Sequence, residues 1–205
     1  MSASPVHLGV LVSGRGSNLE ALLAAERAGA FDRARIVCVF SDAPEARGLD
    51  VARNFRVAAY AFRPRDYPSK ADYEKAVISI LESHAVEYLM LAGYMRIVGA
   101  ALLARYPLRI LNIHPSLLPS FPGLHAQRQA LEHGARFSGC TVHFADAGVD
   151  AGPIIAQRVV PVLPGDTEDT LSARILEQEH QLFTEAVKLV TERPWEIHGR
   201  TVMFS

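Results

Sequence analysis

An amide and an imidazole stand two residues apart at Asn112 and His114, in the run Ile110-Leu111-Asn112-Ile113-His114-Pro115. In an extended chain, alternate residues share a face, so Asn112 and His114 project together while Ile113 points into the interior. Pro115 biases His114 towards the extended backbone this requires. An amide N–H beside a ring nitrogen suits an oxygen that gains negative charge during a reaction, and an imidazole can also move a proton near neutral pH. A lone histidine at a strand end more often caps or packs. The adjoining amide and the proline-rich loop from His114 to Pro122 shift the balance towards a site. Asp150, in Gly148-Val149-Asp150-Ala151-Gly152-Pro153, has two readings: a turn aspartate, or an acid that orients or charges His114. Spacing alone does not bring it to His114.

A second constellation is Ser13-Gly14-Arg15-Gly16-Ser17-Asn18. Its glycines allow a sharp turn and close approach to a ligand. Ser17 and Glu20 have the spacing of a capping box, which predicts a helix starting there. Free N–H groups at a helix start, with the positive end of its dipole, suit an anion such as phosphate. The lysine and glycine spacing of a Walker loop are missing. A dinucleotide fingerprint is incomplete, because Leu19 stands where the third small residue belongs. Asp42, at the end of the next strand-like run, still suits a ribose diol.

These residues need a frame. Strand-like runs fall at Val6–Val12, Arg35–Ser41, Val57–Ala61, Glu87–Ala92 and Leu108–Asn112. Helix-like runs fall between them at Ser17–Ala28, Pro44–Asn54, Ser69–His84 and Met95–Ala104. This alternation predicts an α/β fold, a parallel sheet with helices on both faces. In such sheets ligands bind at the carboxyl ends of the strands, where Asn112 and His114 stand. Beyond the proline-rich loop, a helix over His125–His133 precedes strands at Phe137–Ala145 and Pro153–Val160, read as an antiparallel addition. A long helix over Thr167–Val190 and a hairpin in Trp195–Phe204 complete the pattern. In that long helix Leu171, Ile175, Leu182, Ala186 and Leu189 form an apolar stripe, and Glu179 falls within it. A carboxylate there is costly without a partner. It lies at the stripe's edge, pairs with an arginine, or faces a cleft.

The 205 residues, 49% hydrophobic and 21% charged, fit a single domain over 1–205. The net charge of −1 argues against a nucleic-acid partner. Cys38 and Cys140 sit in apolar runs and read as buried free thiols. No signal peptide or membrane span is expected, which suggests the cytoplasm. The eight histidines show no metal-ligand spacing, so no metal is expected.

Several of these runs, in this order, resemble the phosphoribosylglycinamide formyltransferase family over almost the whole chain. They are Ser13-Gly14-Arg15-Gly16-Ser17-Asn18, Leu91-Ala92-Gly93-Tyr94-Met95-Arg96, and Leu111-Asn112-Ile113-His114-Pro115-Ser116-Leu117-Leu118-Pro119. Pro122-Gly123-Leu124-His125, Gly139-Cys140-Thr141-Val142-His143 and Asp150-Ala151-Gly152-Pro153 follow. Gln127 stands where some members have histidine. The resemblance implies a Rossmann-like formyltransferase fold. It also implies transfer of the formyl group of 10-formyltetrahydrofolate, a co-substrate, to the amine of glycinamide ribonucleotide in purine biosynthesis. Asn112, His114 and Asp150 would be catalytic, with a protonated His114 favoured by Asp150. Gly14, Arg15, Gly16, Ser17, Asn18 and Glu179 would hold the ribonucleotide. Lys70, Met95, Arg96, Ile97 and Val98, with Asn112 and Asp150, would hold the folate. The partners would be small molecules only, with the chain a monomer or homodimer. A methionyl-tRNA formyltransferase or a formyltetrahydrofolate deformylase would need a further domain for which this chain has no room. A nucleotide-binding protein without catalysis leaves the Asn112 and His114 pair unexplained.

Overall fold

The computed structural model describes residues 4–205. Five parallel strands form its first half: β1 (Val6–Val12), β2 (Ala34–Ser41), β3 (Ala58–Ala61), β4 (Tyr88–Leu91) and β5 (Ile110–His114). The helices between them are α1 (Ser17–Arg27), α2 (Arg47–Asn54), α3 (Lys70–Ser83) and α4 (Ala100–Arg105). Then come α5 (Ala126–Glu132), β6 (Phe137–Phe144), β7 (Ile154–Pro161), α6 (Glu168–Glu192), β8 (Trp195–His198) and β9 (Thr201–Phe204). The strands form one sheet in the order β3-β2-β1-β4-β5-β6-β7-β9-β8. Strand β6 is antiparallel to β5, and β7 to β6, as expected of the second half. The strand order reverses direction between β1 and β4, and loops at that switch point frame a crevice.

The two-residue period of the strands sorts the side chains into two cores. Leu8, Val10 and Val12 of β1, Met90 of β4 and Leu111 and Ile113 of β5 pack on the side of α1 and α6. Leu11, Leu89, Leu91 and Ile110 pack on the other side with Phe40, Tyr73, Val77 and Leu81. Gly9 lets α3 and β4 close on β1, since a Cβ there would stand 2.9 Å from Leu81 Cδ2. Cys38 and Cys140 are buried free thiols, and burial pushes both up to about 12. Among the described residues no helix is long and apolar enough to cross a membrane.

Two expectations fail here. The run from Met95 is not helical before Ala100. Met95 and Ile97 are 68% and 65% exposed, so they form a loop wall rather than helix core. The capping box at Ser17 and Glu20 does not form either. Gly16, with φ of 80°, is the N-cap, and Ser17 is already the first helical residue. The glycine reaches a left-handed conformation that serine resists. A side-chain capping box forms instead between Thr167 and Thr170, at the start of α6.

The loop from Gly93 to Gly99 is tied down at its far end by Glu74 of α3. Glu74 is buried, and its carboxylate accepts the N–H of Gly99 at 2.6 Å and of Leu102 at 3.4 Å. A side chain from another helix thus does the work of an N-cap for α4, whose own cap residue, Gly99, has none to offer. Glu74→Ala should cost about 1–3 kcal/mol in a denaturant melt, the scale of a lost charged hydrogen bond in a buried setting. Glu74→Gln, which keeps an acceptor, should cost less than half of that; equal losses would mean the bonds to α4 carry little.

Candidate active site

Asn112 and His114 leave β5 on the same face, as the alternation requires. Their face is opposite to that of Leu111 and Ile113. Strand β6 lies beside them with Asn112 opposite His143 and His114 opposite Thr141. The loop from Pro115 to Phe121 is held down on β6 and β7. Thr141 Oγ1 donates to the Ser116 carbonyl at 2.7 Å and accepts from Leu118 N–H at 3.1 Å, while Gln157 Nε2 donates to the Leu118 carbonyl at 2.8 Å. The β6–β7 loop then delivers Asp150 to the same place.

The Asp150 carboxylate is the centre of the cluster. Its Oδ2 accepts from Gly123 N–H at 2.8 Å and lies 3.3 Å from His114 Nδ1. Its Oδ1 accepts from Asn112 Nδ2 at 3.3 Å and lies 3.6 Å from His143 Nε2. Asp150 adopts φ of 51°, an uncommon conformation for a residue with a side chain. Burial pushes its pKa up. The two nearby imidazoles and the Gly123 N–H outweigh that, so the net shift is down and the group is ionised at neutral pH.

Burial holds the pKa of His114 below the ordinary value, against the opposing effects of the Phe121 carbonyl and Asp150. His114 Nε2 lies 2.9 Å from the Phe121 carbonyl oxygen, so both ring nitrogens face oxygens that accept. A ring with one proton satisfies one of them. Gaining a second proton completes both bonds, which sets His114 to take up a proton during a reaction.

His143 has no role that its place in the run Gly139-Cys140-Thr141-Val142-His143 would show. Its Nδ1 stands 2.9 Å from the Phe144 carbonyl, which places its proton there and leaves Nε2 to accept from Asn112 Nδ2 at 3.1 Å. Asn112 thereby has its amide nitrogen held towards Asp150 and His143. The period-two relation of Thr141 and His143 was visible in the sequence, but the register that sets His143 against Asn112 was not.

The second constellation forms the turn after β1. Gly48 of α2 donates its N–H to the Gly14 carbonyl at 3.0 Å, and a Cβ on Gly16 would stand 2.6 Å from Gly48 Cα. Gly16 is therefore required by α2 as well as by its φ, not only by the room a ligand needs. The first N–H groups of α1, at Ser17 and Asn18, have no intrahelical partner and point out of the turn. Arg15 is exposed at its tip.

Glu179 is 7% exposed, and its Oε2 accepts from Asn18 Nδ2 at 2.9 Å. Among the described residues no lysine or arginine pairs with it, which removes the structural ion pair. Burial raises its pKa, and the bond from Asn18 opposes this only in part. Arg96 lies 4.0 Å from Asp42. Val98 is half-buried, and Lys70 is exposed at the start of α3, where a Cβ on Gly99 would stand 2.7 Å from its Cε. Leu124 and Val149, on the loops after β5 and before Asp150, are exposed like Met95 and Ile97. Apolar side chains thus line the loops at this end of the sheet. Among the described residues no cluster of His, Cys, Asp or Glu is arranged to hold a metal ion.

A doubly covered sheet of this strand order carries an amide, an imidazole and an ionised acid at its carboxyl end, where α/β sheets bind their ligands. The profile described as "Formyl transferase" matches residues 6–187, and the chain belongs to that family. It is 42% identical to phosphoribosylglycinamide formyltransferase of Bacillus subtilis, over 87% of this chain and 91% of that one. It is 46% identical over 88% of its length to the trifunctional purine biosynthetic protein adenosine-3 of Drosophila pseudoobscura, of which it spans only 13%. The crystal structure of glycinamide ribonucleotide transformylase 1 from Symbiobacterium toebii superposes with a TM-score of 0.95 at 50% identity, covering 98% of this chain and 94% of that one.

Two measurements follow. Gly14→Ala adds a Cβ that meets nothing within 4 Å, so it should weaken binding at the turn without lowering Tm. Gly16→Ala should lower both, because its Cβ meets Gly48; equal Tm for the two variants would mean the turn gives way freely. Glu179 has a raised pKa in the folded state, so its stabilising share is complete below the unfolded value of about 4.5 and is lost as pH rises through the folded value. Glu179→Gln should therefore raise Tm at pH 8, with the gain closing towards pH 4; a gain that is constant with pH would point away from the carboxylate's charge.

Proposed function

We propose that this chain transfers the formyl group of 10-formyltetrahydrofolate to the amine of glycinamide ribonucleotide, giving the N-formyl product and tetrahydrofolate. The observation that carries the reading is the Asn112–His114–Asp150 cluster at the carboxyl end of β5, the strand next to β4 in the sheet. The relatives named for this activity agree with it. The ribonucleotide phosphate sits on the free N–H groups at Gly16, Ser17 and Asn18, with Gly14 and Arg15 beside it, and Glu179 accepts from the ribose hydroxyls. The folate lies along Met95, Arg96, Ile97 and Val98, with Lys70 at the edge. Apolar side chains pack on its faces, and backbone groups read its polar edge.

The amine attacks the formyl carbon, a C–N bond forms, and charge builds on the former carbonyl oxygen. Asn112 donates an amide hydrogen to that oxygen, exchanging one of its resting bonds. His114 takes up a proton as the amine loses one, and the ionised Asp150 stabilises the imidazolium so formed. The bond to the folate nitrogen then breaks, and that nitrogen receives a proton, directly or through water. This chemistry draws on no metal. The partners are two small molecules, and we place the enzyme in the cytoplasm as a monomer or homodimer. The near-neutral charge suits free ribonucleotide better than tRNA.

Mixing the chain with both substrates and following folate absorbance tests the reaction; no change in absorbance removes it. Asn112→Ala should lower kcat by about 100-fold or more with ribonucleotide affinity nearly intact. Asp150→Asn should lower the His114 pKa further, because a charge that raises it is gone. An NMR titration with the same midpoint in both proteins would rule out that coupling.

A further inference from the structure

Asp42 follows β2, where a dinucleotide-binding fold would use an acid on a ribose diol. Here both of its oxygens turn inward, and its side chain is only 12% exposed. Oδ1 accepts the Ser13 hydroxyl at 2.6 Å. With that hydrogen committed, Ser13 Oγ accepts the N–H of Met95 at 2.9 Å. Oδ2 faces Arg96 Nη1 at 4.0 Å. Ser13 N–H also donates to the Gly93 carbonyl at 3.1 Å. Ser13 follows β1 and leads into the phosphate-type turn, and Met95 and Arg96 begin the wall of the neighbouring cleft. They meet across the point between β1 and β4 where the strand order reverses.

We propose that Asp42 is a positioning residue for the formyl-transfer reaction: by fixing the Ser13 hydroxyl and drawing in Arg96, it holds the Met95–Arg96 segment in place to receive the folate. The proposal rests on the function given above. A serine hydroxyl has one hydrogen to give, and the acceptor it chooses decides where its lone pairs point. The carboxylate is the strongest acceptor near Ser13, so it sets that choice. The same group limits the sweep of the Arg96 guanidinium. Both effects end on one loop. The turn carrying Gly14 to Asn18 is held separately, by Gly48 N–H on the Gly14 carbonyl and by the Gly16 cap of α1. Loss of Asp42 should therefore be felt by one substrate and not the other.

Steady-state kinetics, folate calorimetry and thermal melts on wild type, Asp42→Ala and Asp42→Asn test this. Asp42→Ala should raise the KM for formyl folate about tenfold, the scale of a lost charge-assisted hydrogen bond. The ribonucleotide KM and kcat should stay within about threefold, since the interaction is not specific to the transition state. Asp42→Asn still offers an oxygen to Ser13 but no charge to Arg96, so it should fall between wild type and Asp42→Ala. An unchanged folate KM in Asp42→Ala overturns the proposal, as does a rise in both KM values with a lowered Tm, which would make Asp42 part of the general framework. If Asp42→Ala does not fold, Asp42→Asn decides: a higher folate KM at wild-type Tm supports the role, and a wild-type folate KM overturns it. A wild-type chain that binds folate but transfers nothing removes the proposed function, while folate affinity still reads Asp42.

Discussion

A half-buried carboxylate with a hydrogen-bond donor at each oxygen is the constraint around which this end of the molecule is built. Asp150 draws on Asn112 and His114 from β5, His143 from β6, and the Gly123 N–H from the long loop between them. An ionised group taken from water is tolerated only with such compensation. Its left-handed backbone, with φ of 51°, is the local cost of reaching all of these partners from a short loop. The proline-rich segment, the antiparallel turn to β6 and the β6–β7 loop all have to close for one charge to be satisfied. The cluster is therefore as much the lock of the fold's second half as the centre of the proposed chemistry.

The first half of the fold supplies a different kind of support. Strands β1 and β4 carry almost no polar side chains, and what they deliver lies just past their ends. The Gly93–Gly99 loop is gripped at both ends, by Ser13 at Met95 and by Glu74 at Gly99, with its exposed apolar middle left free. The turn after β1 is braced by the backbone-to-backbone approach of Gly16 and Gly48. The two loops thus rest on separate braces and meet at Ser13, whose hydroxyl takes the Met95 N–H and whose own N–H goes to the Gly93 carbonyl.

What the sequence revealed follows from the range of the forces involved. The strands and the shared face of Asn112 and His114 were legible because period-two alternation is local. The burial of Glu179 was legible from the spacing of Ile175 and Leu182 about it, and the structure buries it. Asp150 was not, since a turn aspartate has the same local signature wherever its loop lands. His143 was missed for a related reason: its role depends on the β5–β6 register, which no local pattern fixes. Met95 to Val98 was misread as helix because its apolar residues run into a true helix. The start of that helix is set by Glu74, a residue on another element. Ser17 was misread as a cap because Gly16, one residue earlier, takes that place through its backbone alone.

Asp150 and Glu179 show how one sheet end sustains opposite electrostatics. Asp150 is surrounded by donors and by two imidazoles, and its pKa falls despite burial. Glu179 has one neutral donor, Asn18, and burial dominates. The difference suits what each faces in the proposed reaction. Asp150 must be charged to stabilise a protonated His114. Glu179 lies one hydrogen bond from the helix start proposed to take the phosphate, where a second full negative charge would repel it. A carboxyl group whose pKa is raised answers that repulsion by taking a proton, and a bound phosphate would raise it further. The Asn18 bond survives either way, because the amide nitrogen donates to a carboxyl oxygen in both protonation states. The helix dipole of α1 thus remains available to the ligand rather than being spent on a buried neighbour.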